Sequence, residues 1–413
     1  MKRPVLVVGW VPRIVCTIAR SLHSYRVPVD VADFALKPRV RSRAIRHFVR
    51  LPNPDQTPEA FADQLHSFIT RYGHDMLIPA DDQALVAVME HYDRFKDVLH
   101  IACPPPHILR LVLNKSCTLE IAQKCGIQVP RTMVISQSSQ LSELISSIPF
   151  PWILKPTEKL KHEEAVKSCL LKNANDLVQR FPQPVLFSPP MLLQEYCEGA
   201  GVGIEMLIYK GECSTVFQHR RLKELPYDGG FAVTAVAEHP DPALVKSSLA
   251  LLRALHWDGV AMVEYKVNPA DGRAVLMEVN GRYWGTISLP VISGIDFPLY
   301  HWKLVHGASP GVPNPYPAGM KWRWTAGYFW RLHGLLEIAR HSESARKALS
   351  LDLRSLTADF GFAVRDAVFR LSDPMPAVGE LLFVFRYIAS DAMNILARRL
   401  RRRNSGGSSD VAC

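Results

Sequence analysis

Two carboxylates and an amide lie within a short stretch of the chain that is typical of a β-hairpin. Glu278 and Asn280 are two residues apart in an otherwise apolar segment, and side chains two apart on a strand share a face. The residues Pro-Ala-Asp-Gly at 269–272 favour a tight turn, which brings Glu264 on the preceding strand alongside them. Carboxylate and amide oxygens suit Mg²⁺, and Arg282 adds a cation suited to phosphate. The pattern predicts a magnesium and phosphate site. A solvated strand face with incidental acids is the weaker interpretation, because the surrounding strands are apolar.

The segments that precede this hairpin predict a parallel α/β domain at the N-terminus. Strand-like apolar segments at 4–8, 27–32 and 75–79 alternate with helix-patterned segments at 13–23 and 59–70. Three consecutive prolines at 104–106 exclude both a helix and a central strand, so the domain is expected to end there.

From residue 131 the pattern changes to strands of antiparallel type. A helical segment at 107–130 precedes them and ends at Gly126, before Pro130. The predicted strands are 132–135, 152–155, 191–196, 203–209, 215–219, 261–267 and 274–279. Beyond Pro310 the chain is predicted to be largely helical, and Ser-Gly-Gly-Ser-Ser at 405–409 indicates a flexible tail.

Composition and charge indicate a globular protein of the reducing cytoplasm. Of the 413 residues, 48% are hydrophobic and 21% charged, which excludes wholesale disorder. The 49 basic and 39 acidic residues leave +10, and half of that excess comes from arginines 398, 399, 401, 402 and 403, so a nucleic-acid partner is not expected. Eight cysteines without CxxC or zinc-type spacing indicate reduced thiols. No apolar stretch reaches the roughly 18–20 residues of a membrane span.

The hairpin resembles the core of the ATP-grasp superfamily, which includes biotin carboxylase, carbamoyl-phosphate synthase and D-alanine–D-alanine ligase. Val-Glu-Tyr at 263–265 followed by Glu-Val-Asn-Gly-Arg at 278–282 is similar to the family's E-x-N-x-R pattern. Further similar segments precede it in the family's order: Asn-Lys-Ser at 114–116, Gly-Ile-Gln-Val-Pro at 126–130, Trp-Ile-Leu-Lys-Pro at 152–156 and Leu-Gln-Glu-Tyr-Cys-Glu-Gly at 193–199. Arg-Tyr-Trp-Gly-Thr at 282–286 resembles the R-[FY]-W-G-S variant of an uncharacterised carboxylate–amine ligase subgroup.

The resemblance extends over about residues 1–305 and implies a mixed α/β and α+β fold. A parallel α/β pre-ATP-grasp domain at 1–106 would be followed at 107–305 by an ATP-grasp fold of two α+β subdomains, with the lid at about 131–196. A helical C-terminal extension at 306–397 and a basic flexible tail at 398–413 lie outside the resemblance.

The resemblance also implies roles for individual residues. Lys115 and Lys155 would contact the phosphates of ATP. Glu195 would accept a hydrogen bond from the adenine amino group, Tyr196, Cys197 and Glu198 would bind the ring edge, and Glu205 would reach the ribose. Glu264, Glu278 and Asn280 would hold Mg²⁺, with Mn²⁺ as an alternative, and Arg282 would stabilise the transferring phosphoryl group.

A second basic group and a missing glycine loop complete the sequence-based account of the site. Arg220 and Lys223, before the Gly-Gly turn at 229–230, are assigned catalytic roles at the γ-phosphate and the carboxylate substrate; an exposed hairpin with solvated charges is an equally weighted alternative. Residues 156–172 contain no glycine, whereas the family often covers the phosphates with a glycine-rich loop there. The sequence therefore leaves open how the phosphates are held.

The function that the resemblance implies is an ATP- and Mg²⁺-dependent ligase, which activates a carboxylate as an acyl phosphate and joins it to an amine. Small-molecule carboxylate and amine substrates are then the expected partners, and a homodimer stays open because many members dimerise. Two alternatives remain: a catalytically inactive or regulatory ATP-binding protein, and a peripheral protein that contacts a membrane surface weakly through its basic C-terminal helix. An NAD-type oxidoreductase is disfavoured, because Val-Val-Gly-Trp-Val-Pro at 7–12 lacks G-x-G-x-x-G.

Overall fold

The computed structural model describes residues 2–35, 39–144, 149–158, 168–183, 185–311 and 315–405, without the side chains of 142, 143, 177 and 394–405. Most of the glycine-free segment that was singled out at 156–172 lies outside the described residues, as do the arginine side chains near the C-terminus and the end of the predicted tail.

The N-terminal part is a five-stranded parallel sheet in the spatial order β3-β2-β1-β4-β5, flanked by helices. Its elements are β1 (Val5–Val8), α1 (Pro12–Ser24), β2 (Val29–Asp33), β3 (Phe48–Arg50), α2 (Pro58–Tyr72), β4 (Met76–Pro79), α3 (Asp82–Glu90), α4 (Tyr92–Phe95) and β5 (His100–Ile101). Every residue of β1 and β4 is buried, which explains why these segments are continuous apolar runs. The parallel α/β prediction is confirmed.

Asp30 is a fully buried carboxylate that joins β2 to the segment before β3. It accepts hydrogen bonds from Arg46 Nε at 3.0 Å and Nη2 at 2.6 Å and from the His47 amide at 3.0 Å, and it lies 2.9 Å from His74 Nε2. Burial raises the pKa of the Asp30 carboxyl, but the hydrogen bonds from Arg46 and His74 outweigh burial and hold that pKa well below its ordinary value.

Replacing Asp30 with asparagine is expected to lower the free energy of unfolding by about 3 kcal/mol at neutral pH, because it breaks a buried, paired charge. Because the pKa of Asp30 is lower in the folded state than in the unfolded state, the carboxylate stabilises the fold fully at any pH above its unfolded-state pKa, which is about 3.9 for aspartate. That contribution is lost as the pH falls through the folded-state pKa. Urea unfolding at pH 7 and at acidic pH measures the difference, with the exposed Asp97→Asn as control. If the wild type and Asp30→Asn differed in unfolding free energy as much at acidic pH as at pH 7, the stabilising role of the ionised Asp30 would be contradicted.

Four helices and a small antiparallel sheet follow among the described residues. These are α5 (Pro106–Leu113), α6 (Lys115–Lys124), β6 (Thr132–Gln137), α7 (Ser138–Leu144), β7 (Trp152–Pro156), β8 (Cys169–Leu171), α8 (Ala174–Arg180) and β9 (Leu186–Glu195). The four strands lie in the order β6-β9-β7-β8 and bury their own core, which includes Trp152, Leu154, Phe187 and Leu193. This sheet occupies the part of the chain in which the lid was predicted.

A seven-stranded sheet forms the second half of the molecule, in the order β14-β13-β10-β11-β12-β15-β16. Its elements are β10 (Ala200–Tyr209), β11 (Glu212–Leu225), β12 (Phe231–Glu238), α9 (Pro242–Ala254), β13 (Gly259–Val267), β14 (Ala274–Asn280), α10 (Ser288–Ile292), α11 (Phe297–Val305) and β15 (Lys321–Arg323). They continue with α12 (Thr325–Ile338), α13 (Glu343–Arg354), α14 (Leu356–Asp359), β16 (Val364–Asp366) and α15 (Met375–Ser405).

Three strands of this sheet were not among those predicted from the sequence. β12 is rich in alanine, a poor strand former, and is buried along most of its length, so it shows no alternation. β15 and β16 have three residues each, too few for a detectable period, and they come from the region predicted to be helical. The C-terminal region therefore packs on the large sheet and extends it.

The long C-terminal helix α15 packs against α12. The ring of Phe385 lies 5.2 Å from that of Phe329, and the ring of Tyr387 lies 4.5 Å from that of Trp330. The backbone of α15 includes residues 398–405, which were predicted to be flexible; no glycine or proline interrupts the chain between 380 and 405. Within the described residues, no helix combines the length and hydropathy needed to cross a bilayer.

Candidate active site

The hairpin formed by β13 and β14 places the predicted metal carboxylates opposite each other. Glu264 pairs with Glu278 across the two strands, and Met262 pairs with Asn280. Because directly paired residues share a face, Glu264, Glu278 and Asn280 all point to the same side of the sheet. The Asn280 amide donates a hydrogen bond of 3.0 Å to Glu278. The hairpin geometry predicted from the turn residues is therefore present.

The electrostatics of this face favour a divalent cation. Burial raises the pKa of Glu264; the guanidinium of Arg221 lowers it, and the neighbouring Glu278 raises it further. Two carboxylates held side by side away from water repel each other, and a cation bound between them would relieve that repulsion. The donors are all oxygens, the ligand type that Mg²⁺ and Mn²⁺ prefer, so the residues present fit such an ion.

Two lysines approach the hairpin from the small sheet. Lys155, near the end of β7, is half-buried, and desolvation lowers its pKa while Glu278 and Glu264 oppose that shift. Lys115 begins α6, and its Nζ donates to the Pro156 carbonyl at 3.1 Å. Both ammonium groups are therefore held at the end of β7 that faces the large sheet.

Arg282 is positioned by the N-terminal domain. Its Nε and Nη2 donate to the two carboxylate oxygens of Asp82 at 3.1 and 2.7 Å, a bidentate pair that fixes the plane of the guanidinium. Asp82 is the first residue of α3. Burial lowers the pKa of Arg282, but the nearby carboxylates, chiefly that of Asp82, raise it by more, so the guanidinium stays charged.

These residues line one large cavity, which we name the central cavity. It has a volume of about 1810 Å³ and lies between the small sheet, the large sheet, the N-terminus of α1 and helix α15. The predicted site residues that line it are Lys115, Lys155, Glu264, Glu278, Asn280 and Arg282. A cavity that brings acids and cations from three parts of the chain together can hold a polyphosphate with its cation.

Comparisons with known proteins identify the architecture. A family model described as "ATP-grasp in the biosynthetic pathway with Ter operon" matches residues 187–327. The L-amino acid ligase from Bacillus licheniformis superposes with a TM-score of 0.58 at 16% identity, over 73% of this chain and 74% of that chain. The chain has the ATP-grasp fold. This confirms the resemblance on which the motif-based predictions rest.

Two further ATP-grasp structures share the fold. The ADP complex of N5-carboxyaminoimidazole ribonucleotide synthetase gives a TM-score of 0.60 at 14% identity, over 77% of this chain and 81% of that one. A biotin carboxylase–ATP complex from Campylobacter jejuni gives 0.58 at 13% identity, over 77% of this chain and 74% of that one. No curated protein sequence matches the chain.

Two of the three predicted catalytic cations lie outside the central cavity. Arg220 points to the opposite side of β11, where its Nε donates to Glu238 at 2.5 Å. Lys223 donates to Tyr328 Oη at 2.9 Å and also pairs with Asp359. Arg220 and Lys223 therefore do not line the central cavity, and the structure gives no support to their predicted placement at the γ-phosphate.

The residue that occupies the predicted place is Arg221, which the sequence analysis did not single out. Its guanidinium pairs with Glu264 and donates to the Gly230 carbonyl at 2.8 Å. β11 continues to Leu225 instead of ending near His219, so Arg220 and Arg221 point to opposite faces. A register shift between Arg221 and Lys223 then turns Lys223 away. Strand alternation, continued past His219, is the signal that could have found Arg221.

Lys223, which does not line the central cavity, has a structural role that can be tested. Lys223 anchors the C-terminal helices through Tyr328, Ser355 and Asp359. Replacing Lys223 with methionine leaves Asp359 without its cation and is expected to lower the free energy of unfolding by about 3 kcal/mol. Chemical unfolding measures this, with the exposed Lys246→Met as control. An unchanged unfolding midpoint would show that the anchor contributes nothing.

Glu205 is also placed differently from its prediction. It is fully buried, lies 2.7 Å from His219 Nδ1 and does not line the central cavity, so the structure gives no support to its predicted role toward a ribose. Burial raises the pKa of Glu205 well above its ordinary value and lowers that of His219 to about 3. Glu205 pairs with Met262, and His219 pairs with Gly203, which is itself paired with Glu264. The two side chains therefore form a buried contact on the same face of the sheet as the predicted metal carboxylates.

The predicted adenine segment connects the two sheets. Glu195 ends β9, and its amide donates to the Arg131 carbonyl at 2.9 Å, while Gly199 adopts a φ of +130° just before β10. A Cβ at Gly199 would lie 2.4 Å from the Val267 carbonyl oxygen, so the chain passes there only without a side chain. Glu195, Tyr196, Cys197 and Glu198 are not among the residues that line the central cavity. Their role toward adenine remains a prediction.

Proposed function

We propose that this ATP-grasp protein is an ATP- and Mg²⁺-dependent ligase that activates a carboxylate as an acyl phosphate and joins it to an amine. The single observation that carries the proposal is the convergence of acids and cations in the central cavity. These residues are Glu264, Glu278, Asn280, Lys115, Lys155, Arg221 and Arg282.

The metal-binding role falls to Glu264, Glu278 and Asn280. All three share one strand face, and the two carboxylates lie directly opposite each other across the paired strands, where each raises the cost of ionising the other. A divalent ion held there supplies charge neutralisation for the phosphates of ATP. The paired, buried carboxylates support this role better than a purely structural one, since two like charges oppose folding.

The cations around the metal face are assigned to ATP and to the transferring phosphoryl group. Lys115 and Lys155 lie where the small sheet meets the large one, so we assign them to the phosphates. Arg221 and Arg282 are each held by a carboxylate, Glu264 and Asp82 respectively. Preorganised cations of this kind stabilise charge that develops in a transition state without reorganising at the moment of reaction. We keep the segment 195–198 as the adenine-binding edge.

The reaction has two steps that balance without a covalent enzyme intermediate. In the first, a carboxylate oxygen of the substrate attacks the γ-phosphorus, the bond to the β,γ-bridging oxygen breaks and ADP leaves. In the second, an amine attacks the acyl carbon, inorganic phosphate leaves and the amine nitrogen loses a proton. The chain contributes by holding the reactants in line and by stabilising charge.

ATP-dependent release of ADP and phosphate, measured with a panel of carboxylic acids and amines, tests this proposal. We expect release that requires Mg²⁺, an acid and an amine together, and a condensed product that is detectable by mass spectrometry. Tight binding of ATP with no turnover across the panel would instead indicate a nucleotide-binding protein without ligase activity.

A further inference from the structure

Arg13 is a buried cation at the end of the central cavity beyond the metal face. It is the second residue of α1, its exposed fraction is 9%, and it lines the cavity beside Gly285. Its guanidinium carbon lies 3.9 Å from the centre of the Trp324 ring. A Cβ at Gly285 would lie 2.8 Å from Arg13 Nε, so the glycine leaves the space that the guanidinium occupies.

No carboxylate pairs with this guanidinium in the described part of the chain. Its Nε is buried and has no hydrogen-bond partner there. Burial lowers the pKa of Arg13 to about 10, so the side chain is still charged at neutral pH. An unpaired buried charge is costly, and the other buried arginines of the site, Arg221 and Arg282, each have a carboxylate partner.

The carboxylate with the largest effect on the pKa of Arg13 is that of Glu380 on α15, and this carboxylate is hydrogen-bonded to another residue. Its Oε1 accepts a hydrogen bond of 3.0 Å from the indole nitrogen of Trp324. Burial raises the pKa of Glu380 to about 7, so the carboxyl group is only partly ionised at neutral pH. It therefore does not neutralise Arg13 as a close ion pair would.

The exposed rim of the central cavity carries further positive charge. Arg39, Arg41 and Arg386 are exposed and line the cavity there. Asp81, on the same side, is a buried helix cap whose carboxylate accepts from the amides of Trp10 and Ala84. Cations at a cavity mouth raise the local concentration of anions and speed their entry.

We propose that Arg13 binds an anionic group of the acyl substrate, a carboxylate or a phosphate that is distinct from the carboxylate undergoing activation. The inference rests on the proposed function, because it takes the central cavity as the place of reaction. The N-terminus of α1 adds the positive end of a helix dipole at the same point. Trp324 and Glu380 belong to the C-terminal region, so that region forms one wall of this substrate subsite. The substrate is then an acid with at least two anionic groups.

Direct binding of two probes, succinate and inorganic phosphate, tests the inference without any turnover. Isothermal titration is carried out on the full-length wild type, Arg13→Gln, Arg13→Lys and Gly285→Ala, with the exposed Arg110→Gln as the matched control. We expect Arg13→Gln and Gly285→Ala to weaken binding of at least one probe by about tenfold or more, because a charge-assisted, bidentate contact is lost or displaced. Arg13→Lys is expected to retain part of the affinity, and Arg110→Gln all of it.

The outcome also identifies the anion and separates this inference from the ligase proposal. Dependence on Arg13 for succinate alone assigns a carboxylate, and dependence for phosphate alone assigns a phosphate group; both support the subsite. Equal binding by the wild type and Arg13→Gln, or no binding of either probe by the wild type, would overturn it. A matching loss of affinity for a non-hydrolysable ATP analogue in Arg13→Gln would also overturn it, since Arg13 would then serve the nucleotide. If probe binding depends on Arg13 but no acid is turned over, the subsite stands and the ligase proposal fails.

Discussion

Replacing Glu278 with glutamine is expected to reduce ATP-dependent phosphate release by about 10²–10³-fold, the loss typical of removing one group that stabilises transition-state charge. Glu278 lies opposite Glu264 and accepts a hydrogen bond from Asn280, so the substitution removes charge from the centre of the metal face without changing its shape. Steady-state kinetics over a range of Mg²⁺ concentrations measures the effect.

The fold of Glu278→Gln should be retained, because glutamine has the same shape and keeps a side-chain oxygen to accept the hydrogen bond from Asn280. Thermal unfolding of the variant provides the check, and Glu212→Gln, an exposed site on β11, is the matched control for activity. Near-normal turnover by Glu278→Gln would contradict the metal assignment. A variant that fails to fold would show instead that the carboxylate is structural.

Arg221→Ala is expected to reduce turnover by a similar factor of about 10²–10³, whereas Arg220→Ala should leave it within about twofold. The two arginines are adjacent in sequence but lie on opposite faces of β11. Arg221 pairs with Glu264 inside the central cavity, and Arg220 pairs with Glu238 on the other side of the sheet. The pair therefore gives an internal control, with the same residue type and the same substitution one position apart.

Arg221→Lys separates a catalytic role from a purely structural one. A lysine keeps the positive charge next to Glu264 but loses the planar fork, so it should recover part of the turnover that alanine abolishes. If Arg221→Lys is as stable as the wild type but recovers no turnover, the reaction requires the bidentate geometry of the guanidinium. Equal activity of Arg220→Ala and Arg221→Ala would show that the face assignment is wrong.

The fold and the metal face follow from short-range patterns in the sequence. The buried runs at β1 and β4 and the turn at 269–272 specify a parallel sheet and a hairpin through local chemistry alone. Strand alternation then places Glu278 and Asn280 on one face, and the turn adds Glu264. These inferences need no knowledge of distant parts of the chain, which is why they hold in the structure.

The remaining parts of the site depend on contacts between residues that are distant in sequence. The orientation of Arg220 and Lys223 depends on how far β11 continues and on its register shift, which its neighbours in the sheet determine. Arg13 enters the cavity because the turn after β1 faces Gly285 and Trp324, about three hundred residues further along the chain. Single-sequence patterns do not encode such approaches.

The C-terminal region shows the same limitation. The sequence predicted a helical C-terminal region and left open a weak contact of its basic helix with a membrane surface. In the structure, α15 packs against α12 through Phe385 and Tyr387 and lines the central cavity at Glu380. The partner of an amphipathic face is a tertiary property, so the sequence leaves it unspecified.

A crystal structure with Mg²⁺ and a non-hydrolysable ATP analogue tests the central claim most directly. The account predicts that the analogue occupies the central cavity, with a divalent ion ligated by Glu264, Glu278 and Asn280 and the phosphates in contact with Lys115 and Lys155. A nucleotide bound elsewhere, or those three side chains without an ion beside a bound nucleotide, would contradict it.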